Sequence, residues 1–207
     1  MRVLAIAAAL VCPPQLPAVP GSAQLVTVQA PAYRSTIATV ELWQRSGRCW
    51  RRVAGPWQGR LGRSGLSSRK REGDGATPAG TYRLGATVYG IAPNPGVRLR
   101  YHRLTCGDWW DADPASSTYN TFRHVACGTT PTFGGASEAL WRISPQYRYF
   151  AEIAYNSRPA VPGRGSAIFL HVSTGRPTAG CVSLPEPQLV RTLRWLRQGS
   201  AIHIGIS

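Results

Sequence analysis

Two residue types in this chain have the pairing and spacing for covalent chemistry: His171 and, ten positions on, Cys181. A free thiol has a pKa near ~8.5 and is mostly protonated at neutral pH, so it needs a base to become a nucleophile. An imidazole within reach supplies one. Gly180 lets the backbone approach a ligand closely, and the amides of Gly180 and Cys181 are candidates to hold an oxyanion. Together these groups describe acyl transfer through a thioester. The spacing alone equally suits a buried, inert cysteine beside a satisfied histidine.

Several elements must position the pair. Ser166 to Val172 reads as a strand. Its period of two places Ala167, Phe169 and His171 on one face and Ile168, Leu170 and Val172 on the other. Ser173 to Pro177 is turn-rich, and Thr178-Ala179-Gly180-Cys181-Val182 brings the cysteine back. Further strands are expected over Thr36–Trp43, Cys49–Val53, Thr81–Leu84 and Tyr147–Tyr155. The first two are joined by a turn over Gln44–Arg48 in which Gly47 supplies positive φ. Gln58–Ser68 reads as a loop. The tail Ala201–Ile206 alternates with its isoleucines on one side. One helix is expected, Glu186–Gln198. An acid and a proline occupy its first turn, and Leu189, Val190, Leu193 and Leu196 form its packing stripe. With 22 Gly and 17 Pro punctuating the chain, the fold class is mainly β: a curved sandwich or barrel-like sheet with few helices.

The chain has 207 residues, 43% of them hydrophobic, which suits one domain with a real core. Its first 23 residues read as a signal peptide: Arg2, an apolar run Val3–Val11 too short to span a bilayer, and small residues before a cut near Ala23. Residues 24–207 are then the exported domain, secreted or held in the cell envelope, and no later stretch looks transmembrane. The net charge of +15 is almost all arginine, Lys70 being the single lysine. Such a field attracts polyanions. The arginines are scattered, though, and no recognition-helix pattern appears, so anionic cell-wall polymers are the expected partners and nucleic acid is not. A monomer is expected.

Export leaves Cys49, Cys106, Cys127 and Cys181 once Cys12 is removed. Cys106 and Cys127 form the natural disulfide across a polar, aromatic loop. Closing it contributes roughly 3 kcal/mol through the unfolded state. A competing reading gathers His102, Cys106, His124 and Cys127 around zinc. Cys49 and Cys181 remain, and their pairing would make Cys181 structural. The long segment 90–145 reads as a functional lid or wall.

The stretches Gly165-Ser166-Ala167-Ile168-Phe169-Leu170-His171 and Thr178-Ala179-Gly180-Cys181-Val182 resemble the L,D-transpeptidase (YkuD-type) catalytic domain of bacterial cell-wall enzymes. Arg71-Glu72-Gly73-Asp74-Gly75-Ala76-Thr77-Pro78-Ala79-Gly80, Tyr119-Asn120 and Tyr155-Asn156 resemble one branch of that family, and the resemblance covers roughly residues 35 to 206. It implies that Cys181 is the nucleophile, His171 its base, and the Val172 carbonyl the group that orients the imidazole. It also implies peptidoglycan stem peptides as substrates. The thiolate attacks a tetrapeptide stem, expels D-alanine and passes the acyl group to an amine, or to water in an L,D-carboxypeptidase. A wall-binding domain that kept only the fold is the non-enzymatic alternative. No metal or cofactor is implied. The chain departs from the best-known members at Ala179, where they carry a second histidine, and at Ser183, where they carry an arginine. Thr178, Ser183, Arg176 and Arg71 are the expected substrate contacts, the two arginines standing in for the missing cation.

Overall fold

Alternating apolar residues and frequent turn formers make strands the natural regular structure of this chain. The computed structural model describes residues 10–12, 16–17 and 19–207. In chain order the strands are β1 (Leu10–Val11), β2 (Gln24–Ala30), β3 (Ile37–Ser46), β4 (Cys49–Arg60), β5 (Leu66–Ser67), β6 (Thr77–Pro78), β7 (Gly80–Gly90) and β8 (Arg100–Arg103). They continue with β9 (Asp108–Asp111), β10 (Thr121–His124), β11 (Glu138–Ala139), β12 (Phe150–Ile153), β13 (Phe169–Val172), β14 (Val182–Leu184) and β15 (Ala201–Ile206). One α-helix among the described residues, α1, spans Glu186–Trp195.

The main sheet runs β4-β14-β13-β12-β7-β15-β2-β3, and β3 pairs back onto β4, so the ladder closes into a barrel. Closure leaves these strands no free edge. Inside lie Val26, Val28, Val40, Leu42, Val88, Leu170, Val182, Leu184, Ile202 and Ile204. The β3–β4 turn is tighter than expected. Ser46 pairs with Cys49, and Gly47, at φ +60°, turns the chain within two residues. β4 continues to Arg60 and absorbs the start of the expected loop.

α1 closes the barrel against β13 and β14 with Leu189, Leu193 and Leu196, while Val190 sits half-buried at its edge. It ends at Trp195, short of Gln198, because Leu196 turns extended. The Arg197 guanidinium then donates to the carbonyls of Arg194, Trp195 and Leu196, satisfying the last turn. The expected strand Tyr147–Tyr155 shrinks to β12, since Gln146–Arg148 form a 3₁₀ turn that buries Tyr147. In the tail Ile202 and Ile204 are buried and Ile206 is exposed.

The segment 90–145 adds β8 to the main sheet and otherwise builds a small sheet of its own, β10-β9-β11. Cys106 and Cys127 are bonded at its base. The zinc alternative gives way to this arrangement: both sulfurs are in the disulfide, and both imidazoles bind one carboxylate. Asp108 accepts from His102 Nε2 at 2.9 Å and from His124 Nδ1 at 2.7 Å.

Cys49 is bonded to Cys12, and Cys181 is free, so the suggested Cys49–Cys181 pairing is overturned. Leu16 and Val19 pack on Leu25, Trp43 and Trp50. Much of the expected signal peptide, residues 1–9, 13–15 and 18, lies outside the described residues. No helix of the described residues is long and apolar enough to cross a membrane.

Candidate active site

β13 and β14 run parallel with His171 opposite Ser183, so the chain must loop out and return between them. That return is stitched to the segment after β4. Thr178 N–H donates to Leu61 O, and Arg63 N–H donates to Thr178 O, each at 2.8 Å. The Thr178 hydroxyl donates to Cys181 O at 2.7 Å and accepts from Gly180 N–H at 3.1 Å. Gly180 adopts φ +146°, and a Cβ there would lie 2.9 Å from Ala76 O. Its glycine therefore serves close approach of main chain to main chain. Of the two expected oxyanion donors, the Gly180 amide is thus engaged by the Thr178 hydroxyl.

Cys181, His171, Thr178, Gly180, Ser183 and Arg176 line one cavity of about 350 Å³. Arg71 does not; it lies in a neighbouring depression with Arg69 and Arg164. The cations that do reach the cavity are Arg176, Arg63 and Lys70. Lys70 is buried, its Nζ donating to Asp74 Oδ1 at 2.6 Å and to Arg71 O at 3.0 Å. Asp74 also accepts from the amides of Arg71 and Ala76, so this lysine–aspartate pair shapes the loop that precedes β6.

His171 is buried, and its Nδ1 lies 2.8 Å from Val172 O. A carbonyl only accepts, so Nδ1 carries the proton and Nε2 is the free base of the neutral ring. Burial pushes the imidazole pKa down to about 4, against the opposing pull of the Val172 carbonyl. The Cys181 thiol receives the Phe169 N–H and donates to Ala167 O, each at 3.3 Å. At rest the thiol proton therefore points to a main-chain carbonyl and not to the imidazole. Burial pushes the thiol up to about 12; Glu138 adds to this, while the Phe169 N–H and Lys70 work against it.

The carbonyl that holds the thiol exists because Ala167 is left-handed, φ +52°, an uncommon state for a non-glycine residue. This is why β13 begins at Phe169 and not at Ser166. The two expected faces survive all the same. Ile168, Leu170 and Val172 join the barrel core, and Phe169 joins the cluster around Cys181. Ala167 is held by Asn120, whose Oδ1 accepts from Ala167 N–H at 3.0 Å and from Trp110 Nε1 at 2.9 Å. Asn120 Nδ2 donates to the carbonyls of Tyr155 and Asn156. The two Tyr-Asn dipeptides, singled out in the sequence by their resemblance to one branch of the family, thus meet behind the nucleophile.

Sequence reasoning missed an acidic wall. Glu72 lines the cavity and accepts the hydroxyls of Tyr119 and Ser166. Glu138, from β11, lines it too and accepts the Tyr147 hydroxyl. The Tyr147 ring stands edge-on to His171 with centroids 5.9 Å apart. Burial, with some help from the charge on Glu72 and against the Tyr147 hydrogen bond, raises the Glu138 carboxyl to about 7.

Residues 38–204 match the family model described as the L,D-transpeptidase catalytic domain, YkuD. Among solved structures the chain is similar to the helical cell shape determining protein Pgp2 from Campylobacter jejuni. The identity is 13% and the TM-score 0.43, over 89% of this chain and 48% of that one, so the chain spans about half that protein's length. No curated protein matches the chain.

Proposed function

The chain belongs to the L,D-transpeptidase catalytic-domain family, and on that premise we propose that it is an exported cysteine acyltransferase acting on peptidoglycan stem peptides. The observation that carries this is Cys181: a cysteine outside both disulfides of the described residues, in the same cavity as an imidazole whose Nδ1 proton is committed to a carbonyl.

In this reading the sulfur attacks the carbonyl before the terminal D-alanine as its proton passes to His171 Nε2. The Cys181 N–H faces the developing oxyanion. Collapse expels D-alanine, which takes the proton from His171, and leaves a Cys181 thioester that an amine then resolves. Val172 O keeps the imidazole in the working tautomer throughout. Arg176 and Arg63 give the substrate's carboxylates their cationic partners, and Thr178 and Ser183 complete the wall. Arg71, with Arg69 and Arg164, provides a basic depression where anionic wall polymers can lie.

A carbapenem, as a reactive acyl donor, tests this. By intact mass the wild type gains one adduct and Cys181→Ala gains none. Labelling of the variant, or none of the wild type, overturns the reading.

Export is part of the proposal, supported by the Cys106–Cys127 bridge, which persists in an oxidising compartment. Cleavage near Ala23 removes Cys12 and frees Cys49 from its bridge. The secreted protein then titrates two thiols when denatured without reductant, and the uncut chain one. A count of one on the secreted form argues against that cut.

A further inference from the structure

The chain has only nine acidic residues, yet two of them, Glu72 and Glu138, line the catalytic cavity. Neither is in an ion pair; the carboxylates paired among the described residues are Glu41, Asp74, Asp108 and Glu186. In so arginine-rich a protein, two unpaired carboxylates beside the nucleophile call for a ligand with positive charge. Glu72 is taken up by the hydroxyls of Tyr119 and Ser166. Glu138 accepts the Tyr147 hydroxyl on one oxygen and keeps the other. It is carried by β11, which pairs with β9 in the small sheet, so it reaches the cavity from a different wall than His171 and Cys181.

Proton accounting gives this carboxylate a task. An aliphatic amine has a pKa near ~10.4 and arrives as an ammonium ion. In becoming an amide nitrogen by attack on the thioester it loses two protons. One passes through His171 to the departing sulfur, restoring the thiol, and the other needs a second acceptor. Water attacking the same thioester enters uncharged and needs His171 alone. Resting on the acyltransferase reading above, we infer that Glu138 is a second catalytic base, which receives the acceptor as an ammonium ion and removes its first proton. Glu138 thereby sets the preference for amine over water.

The test uses a stem tetrapeptide ending in D-alanine as both donor and acceptor, with methoxyamine, uncharged at neutral pH, as a second acceptor. Mass spectrometry separates the cross-linked dimer, the hydrolysed tripeptide and the methoxyamide. In Glu138→Gln, whose amide oxygen still accepts from Tyr147, the dimer falls at least ~10-fold relative to tripeptide. The methoxyamide stays within ~2-fold of wild type, because a neutral amine needs only one base. Glu138→Asp, a second variant in case the first does not fold, retains part of the dimer. The inference is overturned if dimer and methoxyamide fall together, if neither falls, or if the wild type makes tripeptide alone. Failure of the wild type to release D-alanine or to take a carbapenem instead sinks the underlying acyltransferase reading, and this inference with it.

Discussion

His171→Ala slows carbapenem acylation of Cys181 by about 10³-fold or more at neutral pH and turns a flat pH profile into a rising one. The reason lies in the two pKa values. With the thiol near 12, only about one molecule in 10⁵ is a thiolate at pH 7. With the imidazole near 4, Nε2 is free to accept a proton throughout the neutral range. Attack therefore depends on proton transfer to His171 during the reaction and not on a standing ion pair. The wild-type rate stays level from neutral pH down to about 5 and drops as His171 is protonated near 4. Without the imidazole the rate follows the thiolate fraction and climbs about tenfold per pH unit. Adduct formation timed by mass spectrometry from about pH 3.5 to 9 reads both. A variant with the wild-type rate or a flat profile removes His171 from its role.

Stability carries the same signature. Because the folded-state pKa of His171 is lowered, the unfolded chain takes up a proton first as pH falls. Folding then loses up to about 3 kcal/mol between pH 6.5 and about 4. His171→Ala removes that acid penalty, so its acid denaturation midpoint moves to lower pH.

Asp108→Ala costs about 2–3 kcal/mol, through the hydrogen-bond partners it leaves behind. The Asp108 side chain is fully buried and accepts from Thr105 N–H at 2.8 Å and from both histidines. Removing it leaves the Thr105 N–H and hydroxyl and both imidazoles without their acceptor; the imidazoles are partly exposed, so water replaces part of what they lose. Burial alone pushes this carboxyl up, but the hydrogen bonds from Thr105, His124 and His102 outweigh it and hold the pKa below the usual range. The stabilisation is therefore present above the ordinary carboxylate pKa and fades as pH falls through the lowered one.

The damage reaches the site. Trp110 of β9 packs edge-on to Phe169 at 4.8 Å and donates to Asn120, which holds Ala167 and through it the thiol. Urea unfolding gives the energy, and hydrogen exchange over residues 105–139 locates it. A loss below about 1 kcal/mol sinks the structural role assigned to Asp108.

Local pattern was enough to pick out much of this protein. The face alternation of 166–172, the return loop to Cys181, the stripe on α1 and the Cys106–Cys127 bridge all concern residues close along the chain. There a period of 2 or 3.6, or the chemistry of a residue type, decides the outcome. The Arg71–Gly80 segment was legible as a motif but not in its workings. Arg71 points attention to the wrong side chain, since Lys70 is the one that Asp74 draws into the cavity wall.

Tertiary structure alone decided the rest. Barrel closure rests on β3 meeting both β2 and β4. The left-handed turn at Ala167 is imposed by Asn120, far away in sequence. Glu138 comes to the nucleophile on a small sheet, and Tyr147 in a 3₁₀ turn, that no periodicity announces. The sequence by itself identified which atoms can react. How their protons are held depends on burial and on carbonyls brought from other segments, and those exist only once the chain has folded.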